Sequence, residues 1–200
     1  MVKHTSVFIM KKYKTILLDP PWQYGRNGKY SAESNYNVMN IEEIYNLPIN
    51  KLADQDCILF LWTTNGFLHE ALHCIEKWGF EYKTTITWDK EHYGLGYWAW
   101  GQTEHFMIAV KGKPFRPHPP ITRTIVRHKK GKHSAKPDKF YTIAEKMGEK
   151  PRLELFAREQ SPLFPKREGW DVWGNEIQSE QEVSDILEKN MRTTDKSDYA

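Results

Sequence analysis

Two short clusters in this 200-residue chain hold residue types able to do chemistry. The first is Asp19-Pro20-Pro21-Trp22, directly after the apolar run 13–18. A carboxylate followed by two prolines offers acceptors without backbone donors, because proline fixes φ and has no N–H. That set suits an exocyclic aromatic amine, whose lone pair is delocalised into its ring. Two acceptors holding its two hydrogens favour the pyramidal geometry that exposes the lone pair. Asp19 would supply one, and the Pro20 carbonyl, presented rigidly with no competing N–H, the other. Trp22 would offer a flat face for stacking a base, worth ~1–3 kcal/mol. Catalysis of that kind is positioning and electrostatics, with no metal and no covalent enzyme intermediate. Without a function, the same tetrapeptide is a strand-ending turn with an exposed tryptophan.

The second cluster is His69-Glu70-Ala71-Leu72-His73, a literal HExxH. On a helix this spacing puts both imidazoles on one face, as zinc proteases require. However, the apolar residues Phe67, Leu68, Ala71, Leu72, Ile75 and Trp78 define the opposite, core-facing side. The histidines then fall on the solvent stripe with Glu76, and no HxxGxxH continuation follows. No metal site is expected, and His92, His118 and His128 show no ligand spacing.

Both clusters need elements to hold them. Residues 13–18 and 57–63 are continuous apolar runs, the pattern of strands buried on both faces. Residues 80–88, 104–111 and 152–157 are further strand candidates. Asn40 with Glu43 three residues on is a capping box opening a helix through about Tyr45. Residues 67–78 have helical periodicity, and Pro137 suits the first turn of a helix reaching Met147. Strands alternating with helices predict an α/β fold with a mostly parallel sheet. Loops are expected at 23–37, 89–103 and 112–135; such long connections usually carry function.

Composition is globular, with 39% hydrophobic and 28% charged residues. The net charge of +3 matters less than its distribution. Nine Lys or Arg and no acid lie between Glu104 and Asp138, whereas 176–200 carries seven acids against three bases. A basic segment on a nearly neutral chain suits a polyanion or a solvated loop. Two cysteines and no run long enough to span a membrane predict a reducing, cytoplasmic compartment. Domain organisation is expected as one unit over 1–176, then an acidic tail over 177–200 forming a loose helix or nothing regular.

The chain resembles the MT-A-type permuted adenine-amine methyltransferases. The resemblance rests on ILLDPPW at 16–22, GYWAWGQTEHFMIAVKGKP at 96–114, HSAKPDKFY at 133–141, and LELFAR at 153–158 with GWDVWGNE at 169–176. It implies a Rossmann-like seven-stranded sheet flanked by helices, with the target motif preceding the cofactor motif in circularly permuted order. It also implies transfer of a methyl group from S-adenosylmethionine to the N6 amine of adenine in nucleic acid. By position, Asp19, Pro20 and Pro21 would hold the amine, and Trp22, Tyr24 and Tyr36 would shape the base pocket. Asp19, Lys136, Glu154, Leu155, Phe156, Arg158, Asn175 and Glu176 would line the cofactor site. Gln160 and Ser161 stand where the family's eukaryotic member that methylates mRNA has a His-Asn pair. Glu104 and His105 match the family's EH pair, for which loop orientation is at least as apt as catalysis.

A base inside a duplex cannot reach Trp22, so it must be flipped or single-stranded. Recognition is expected from the loops, with Lys113, Arg116, Arg123, Arg127, Lys129 and Lys130, together with Lys132, as phosphate contacts and binding therefore salt-sensitive. The compact form resembles short prokaryotic and phage members, which favours DNA over RNA; a homodimer or related partner subunit also follows from the resemblance. The alternatives are a cytosine amine as acceptor and a non-catalytic nucleic-acid-binding relative.

Overall fold

The computed structural model describes residues 11–23, 39–96, 98–131, 135–157, 167–174 and 183–187. Seven strands form one sheet: β1 (Tyr13–Leu18), β2 (Ala53–Thr64), β3 (Glu81–Gly94), β4 (Gly101–Lys111), β5 (Ile125–Arg127), β6 (Arg152–Leu155) and β7 (Trp170–Trp173). Their spatial order is β5-β3-β4-β2-β1-β6-β7. β1 pairs in parallel with β2 and β6, as β6 does with β7 and β3 with β5. β4 alone is reversed, antiparallel to both β2 and β3. The sheet is thus mostly parallel, as expected, and β1 lies inside it between β2 and β6.

Alternation along the strands buries both faces. Leu59 and Leu61 of β2 join one core with Ile16 and Leu18, while Ile58, Phe60 and Trp62 join a second with Leu17. Helices α1 (Ile41–Tyr45), α2 (Ile49–Leu52) and α3 (Leu68–Lys77) contribute apolar residues to the first core and α4 (Asp138–Met147) to the second. Each fully buried side chain of this size contributes about 1.5–3 kcal/mol. The capping box forms as predicted: Asn40 Oδ1 accepts from Glu43 N–H, and Glu43 Oε2 accepts from Asn40 N–H. Among the described residues no helix is long and apolar enough to cross a membrane.

Two expectations are corrected. Residues 89–103 are not a loop but extend β3 and β4 into a hairpin arm, paired as far as Gly94 and Gly101. The segment 112–135 contains β5, whose pairing with Thr87–Asp89 places Arg127 in the sheet. Residues 183–187 are helical, and within the acidic stretch the apolar side chains of Val183, Ile186 and Leu187 pack into the first core.

Candidate active site

Strand direction locates the site. From β1 the chain crosses to β2 on one side, and from β6 it crosses to β7 on the other. The carboxyl ends of β1 and β6, level at the Leu18–Leu155 pair, therefore flank the switch point where open α/β sheets bind ligands. Asp19 leaves one end of this crevice and Phe156 the other.

Prolines 20 and 21 stop β1 and fold it tightly. Trp22 N–H donates to the Pro20 carbonyl at 2.9 Å, the short-range bond of a γ-turn, and Met39 N–H donates to the Pro21 carbonyl at 3.1 Å. The Pro20 carbonyl thus has the N–H competitor that the sequence reading left out; its second lone pair is what a ligand would use. Trp22 is only 7% exposed, stacked on Phe67 at 5.3 Å between ring centres, with its indole N–H donating to the Trp62 carbonyl at 3.1 Å. It is not the exposed stacking platform expected. Buried apolar area and a satisfied N–H hold it in the core, where it fixes the path of the chain leaving Asp19.

Lys136, in the link before α4, reaches over the Trp62 ring at 4.8 Å and bridges two carboxylates. Its Nζ lies 3.2 Å from Asp19 Oδ1 and 2.7 Å from Glu104 Oε2. Glu104 Oε1 meets Lys90 Nζ at 3.3 Å. Burial acts to lower the Lys136 pKa, but Asp19 and Glu104 outweigh it and hold the ammonium above its usual value. Burial likewise pushes Glu104 up, yet Lys136 and Lys90 bring its carboxyl below the usual range. Glu104, Lys136 and Lys90 form a nearly buried set of fixed charges, with the half-open Asp19 at its outer end.

Glu154 on β6 differs. It is 6% exposed and accepts from the Tyr141 hydroxyl at 2.6 Å. Burial raises its pKa, the Tyr141 bond and Arg167 lower it, and Asp19 adds to the rise; the net shift is upward. Next to it Phe156 adopts φ +63°, the left-handed region that side-chain-bearing residues rarely enter. Strain of this kind clusters at functional sites. Beyond it Ala157 N–H donates to the Trp173 carbonyl at 3.0 Å, and a Cβ on Gly174 would meet the Ala157 carbonyl at 2.1 Å. Only glycine lets β6 and β7 close this end of the crevice. Lys136, Glu154, Leu155 and Phe156 thus come together with Asp19, a donor set suited to a ligand bearing hydroxyls and both signs of charge.

His105 is positional. Its Nε2 lies 2.9 Å from Asn65 Oδ1 and its Nδ1 3.3 Å from Thr87 Oγ1, and burial lowers its pKa although Glu104 opposes this. Because Asn65 Nδ2 donates to Thr103 Oγ1, its Oδ1 accepts from His105. This ties down the turn at 65–67 whose Phe67 supports Trp22.

The basic residues divide. Lys129 and Lys130 are exposed beside the carboxyl ends of the parallel strands, as is Arg127, which also meets Asp89 at 3.4 Å. Lys113 stands at the opposite edge, its N–H bonded to Asp56, because β4 runs antiparallel and carries the chain away. Arg116 and Arg123 are exposed on the return segment. Tyr24, Tyr36, Lys132, Arg158, Gln160, Ser161, Asn175 and Glu176 lie outside the described residues. Lys90, Trp62, Asn65, Tyr141 and Arg167 escaped the sequence reading. Tyr141 closes the quoted 133–141 motif, and its place one helical turn inside α4 was the available signal. His69 and His73 are exposed on α3, His73 edge-on to Tyr45 at 4.7 Å. Among the described residues no group of three or more His, Cys, Asp or Glu could hold a metal.

Residues 13–176 match the MT-A70 family. The chain is similar to the "Type II methyltransferase M.MunI" of Mycoplasma sp, 33% identical over 189 residues, covering 84% of this chain and 78% of that protein. It is also similar to the human "N(6)-adenosine-methyltransferase catalytic subunit METTL3", 26% identical over 185 residues, 88% of this chain and 30% of that one. A rice "Probable N(6)-adenosine-methyltransferase MT-A70-like" protein is 27% identical over 195 residues, 93% of this chain and 26% of that one. The chain therefore spans less than a third of the length of these two eukaryotic relatives.

Proposed function

The chain belongs to the MT-A70 family, and we propose that it methylates the N6 amine of adenine in nucleic acid, with S-adenosylmethionine as donor and DNA as acceptor. The observation that carries this reading is the Asp19 carboxylate at the switch point, held 3.2 Å from a nearly buried lysine whose other partner is Glu104. When bound, the cofactor supplies an electrophilic methyl carbon on a sulfonium.

The chain's own residues do the rest. The target amine gives one hydrogen to Asp19 and the other to the free lone pair of the Pro20 carbonyl, which turns the nitrogen lone pair out of the ring plane. Lys136 prevents Asp19 from swinging away and offsets part of its charge, so that the carboxylate is aimed before substrate arrives. Asp19 is also the nearest acceptor for the proton shed after transfer. Glu154 takes hydroxyl or amine donors of the cofactor, and the Leu155–Phe156 backbone shapes the floor beneath them. Arg158, Asn175 and Glu176 complete that site by position in the motifs.

Support for DNA is the chain's resemblance to short prokaryotic members, with which the higher identity and mutual coverage to the type II methyltransferase of Mycoplasma sp agree. RNA is the second reading, favoured by the names of the eukaryotic relatives. Incubation with methyl-labelled S-adenosylmethionine and single-stranded DNA, duplex DNA or RNA tests both. Label in adenine of DNA, lost in Asp19→Asn, is the expected result. Cofactor binding with no acceptor labelled would overturn the catalytic reading in favour of a binding-only relative.

A further inference from the structure

The hairpin arm at the end of β3 and β4 presents an unusual surface. Trp98 is 102% exposed relative to an open reference and Leu95 100%, while Trp100 and Tyr93 stand 66% and 54% exposed. Tyr93 and Trp100 stack with ring centres 4.6 Å apart and 12° between planes. Clustered exposed aromatics of this size mark an interaction surface.

The arm is also built rather than loose. Between the pairs Asp89–Thr103 and Gly94–Gly101, β3 has five residue steps and β4 only two, a bulge that bends the arm. Within it Glu91 adopts φ +51°, and its N–H bonds Asp89 Oδ1 at 3.0 Å. Gln102 binds the same oxygen at 2.8 Å. At the tip, a Cβ on Gly96 would meet the Ala99 carbonyl at 2.1 Å, so the turn needs glycine there.

Location and charge point to the occupant. β3 runs parallel to β1, so the arm rises from the edge where Asp19 sits, and two residues of β4 separate Gly101 from Glu104. That places the tip on the order of 10–20 Å from Asp19. Along the arm's root runs Arg127-His128-Lys129-Lys130, tied to it by His128 N–H to the Asp89 carbonyl at 3.0 Å and Lys130 N–H to the Lys90 carbonyl at 3.4 Å. Aromatic faces beside an exposed basic strip match single-stranded nucleic acid, whose bases stack and whose phosphates need cations.

We propose that the arm is a base-stacking element, with Trp98 and the Tyr93–Trp100 stack receiving an unstacked base near the target adenine while Lys129 and Lys130 hold its phosphates. This rests on the nucleic-acid reading above. The test is anisotropy of a short fluorescein-labelled adenine-containing oligonucleotide, single-stranded and duplex, with wild type, Trp98→Ala/Trp100→Ala, Trp98→Phe and Lys129→Ala/Lys130→Ala, alongside sedimentation and thermal melting. The double tryptophan variant should bind about tenfold to a hundredfold more weakly with an unchanged melting temperature, and Trp98→Phe should retain affinity. The double lysine variant should lower the salt slope by about two. If wild type binds and labels the oligonucleotide but the tryptophan variant binds equally well, the arm proposal fails alone. If that variant changes only the sedimentation from dimer to monomer, the arm is a self-association surface and the proposal is overturned. If wild type binds no nucleic acid, the parent reading fails with it.

Discussion

Glu104, nearly buried on β4, and Glu154, buried on β6, sit at the same edge of the sheet, yet their pKa values shift in opposite directions. Burial disfavours the ionised form of each. At Glu104 two lysines overcome that cost, so the β4 side of the crevice is a wall of fixed charge set before any ligand arrives. At Glu154 a tyrosine hydroxyl and the Arg167 charge do not, so the β6 side keeps a carboxyl whose charge is still undercompensated. Under the proposed function this difference would separate two tasks, the first side aiming Asp19 and the second taking hydrogen-bond donors of a cofactor.

The largest effect expected is on stability at the charged wall. Lys136→Met leaves Asp19 and Glu104 without their shared cation and should cost up to about 3–5 kcal/mol in urea unfolding. A loss well under 1 kcal/mol would mean the wall is solvated and the contrast with Glu154 false. Asp19→Asn keeps the shape of the turn and should lower methyl transfer on the order of 10²–10³-fold while the protein melts near the wild-type temperature. A pair of isosteric changes sharpens the comparison next. Glu104→Gln should destabilise by about 1–3 kcal/mol, because Lys90 and Lys136 lose a charge-assisted partner. Glu154→Gln should change stability by less than about 1 kcal/mol but weaken S-adenosylmethionine in calorimetry, since a carboxyl raised by burial loses little on becoming neutral.

The smallest effect is in the pH dependence. Glu104, lowered in the fold, contributes stability that is complete above its ordinary value of 4.5 and is lost as pH falls below it. Glu154, raised in the fold, works in reverse, and its unfavourable share is relieved as pH falls toward 4.5. Unfolding free energy measured across this range should therefore drop more gently at acid pH in Glu104→Gln than in wild type, and more steeply in Glu154→Gln. Parallel profiles for the two variants would remove the distinction.

Residue types alone singled out Asp19 and its two prolines, whereas Lys136, Glu154, Leu155 and Phe156 came from the family resemblance, and the errors share one cause. The strand ending in Asp-Pro-Pro, the capping box at Asn40 and the helix after Pro137 are local features, decided by neighbours a few positions away. Trp22 was misplaced because exposure depends on what packs above a ring, and Phe67 reaches it from another element. Lys90 was invisible because its partner Glu104 stands across a strand pair at a register nothing local specifies. Lys113 was grouped with Lys129 by composition, although reversal of β4 places its backbone at the far edge beside Asp56.

What the amino-acid order determined by itself was β1 to β4, β6 and three of the helices, the turn that stops β1 at Asp19 and the motifs shared with one family. Periodicity, proline and capping act through the chain's immediate neighbours, so they survive without a fold. What only the tertiary structure decided was the direction of β4, the switch point between β1 and β6, and the opposite pKa shifts of Glu104 and Glu154. Those depend on pairing between distant segments and on water excluded by both cores, neither of which exists until the sheet is assembled.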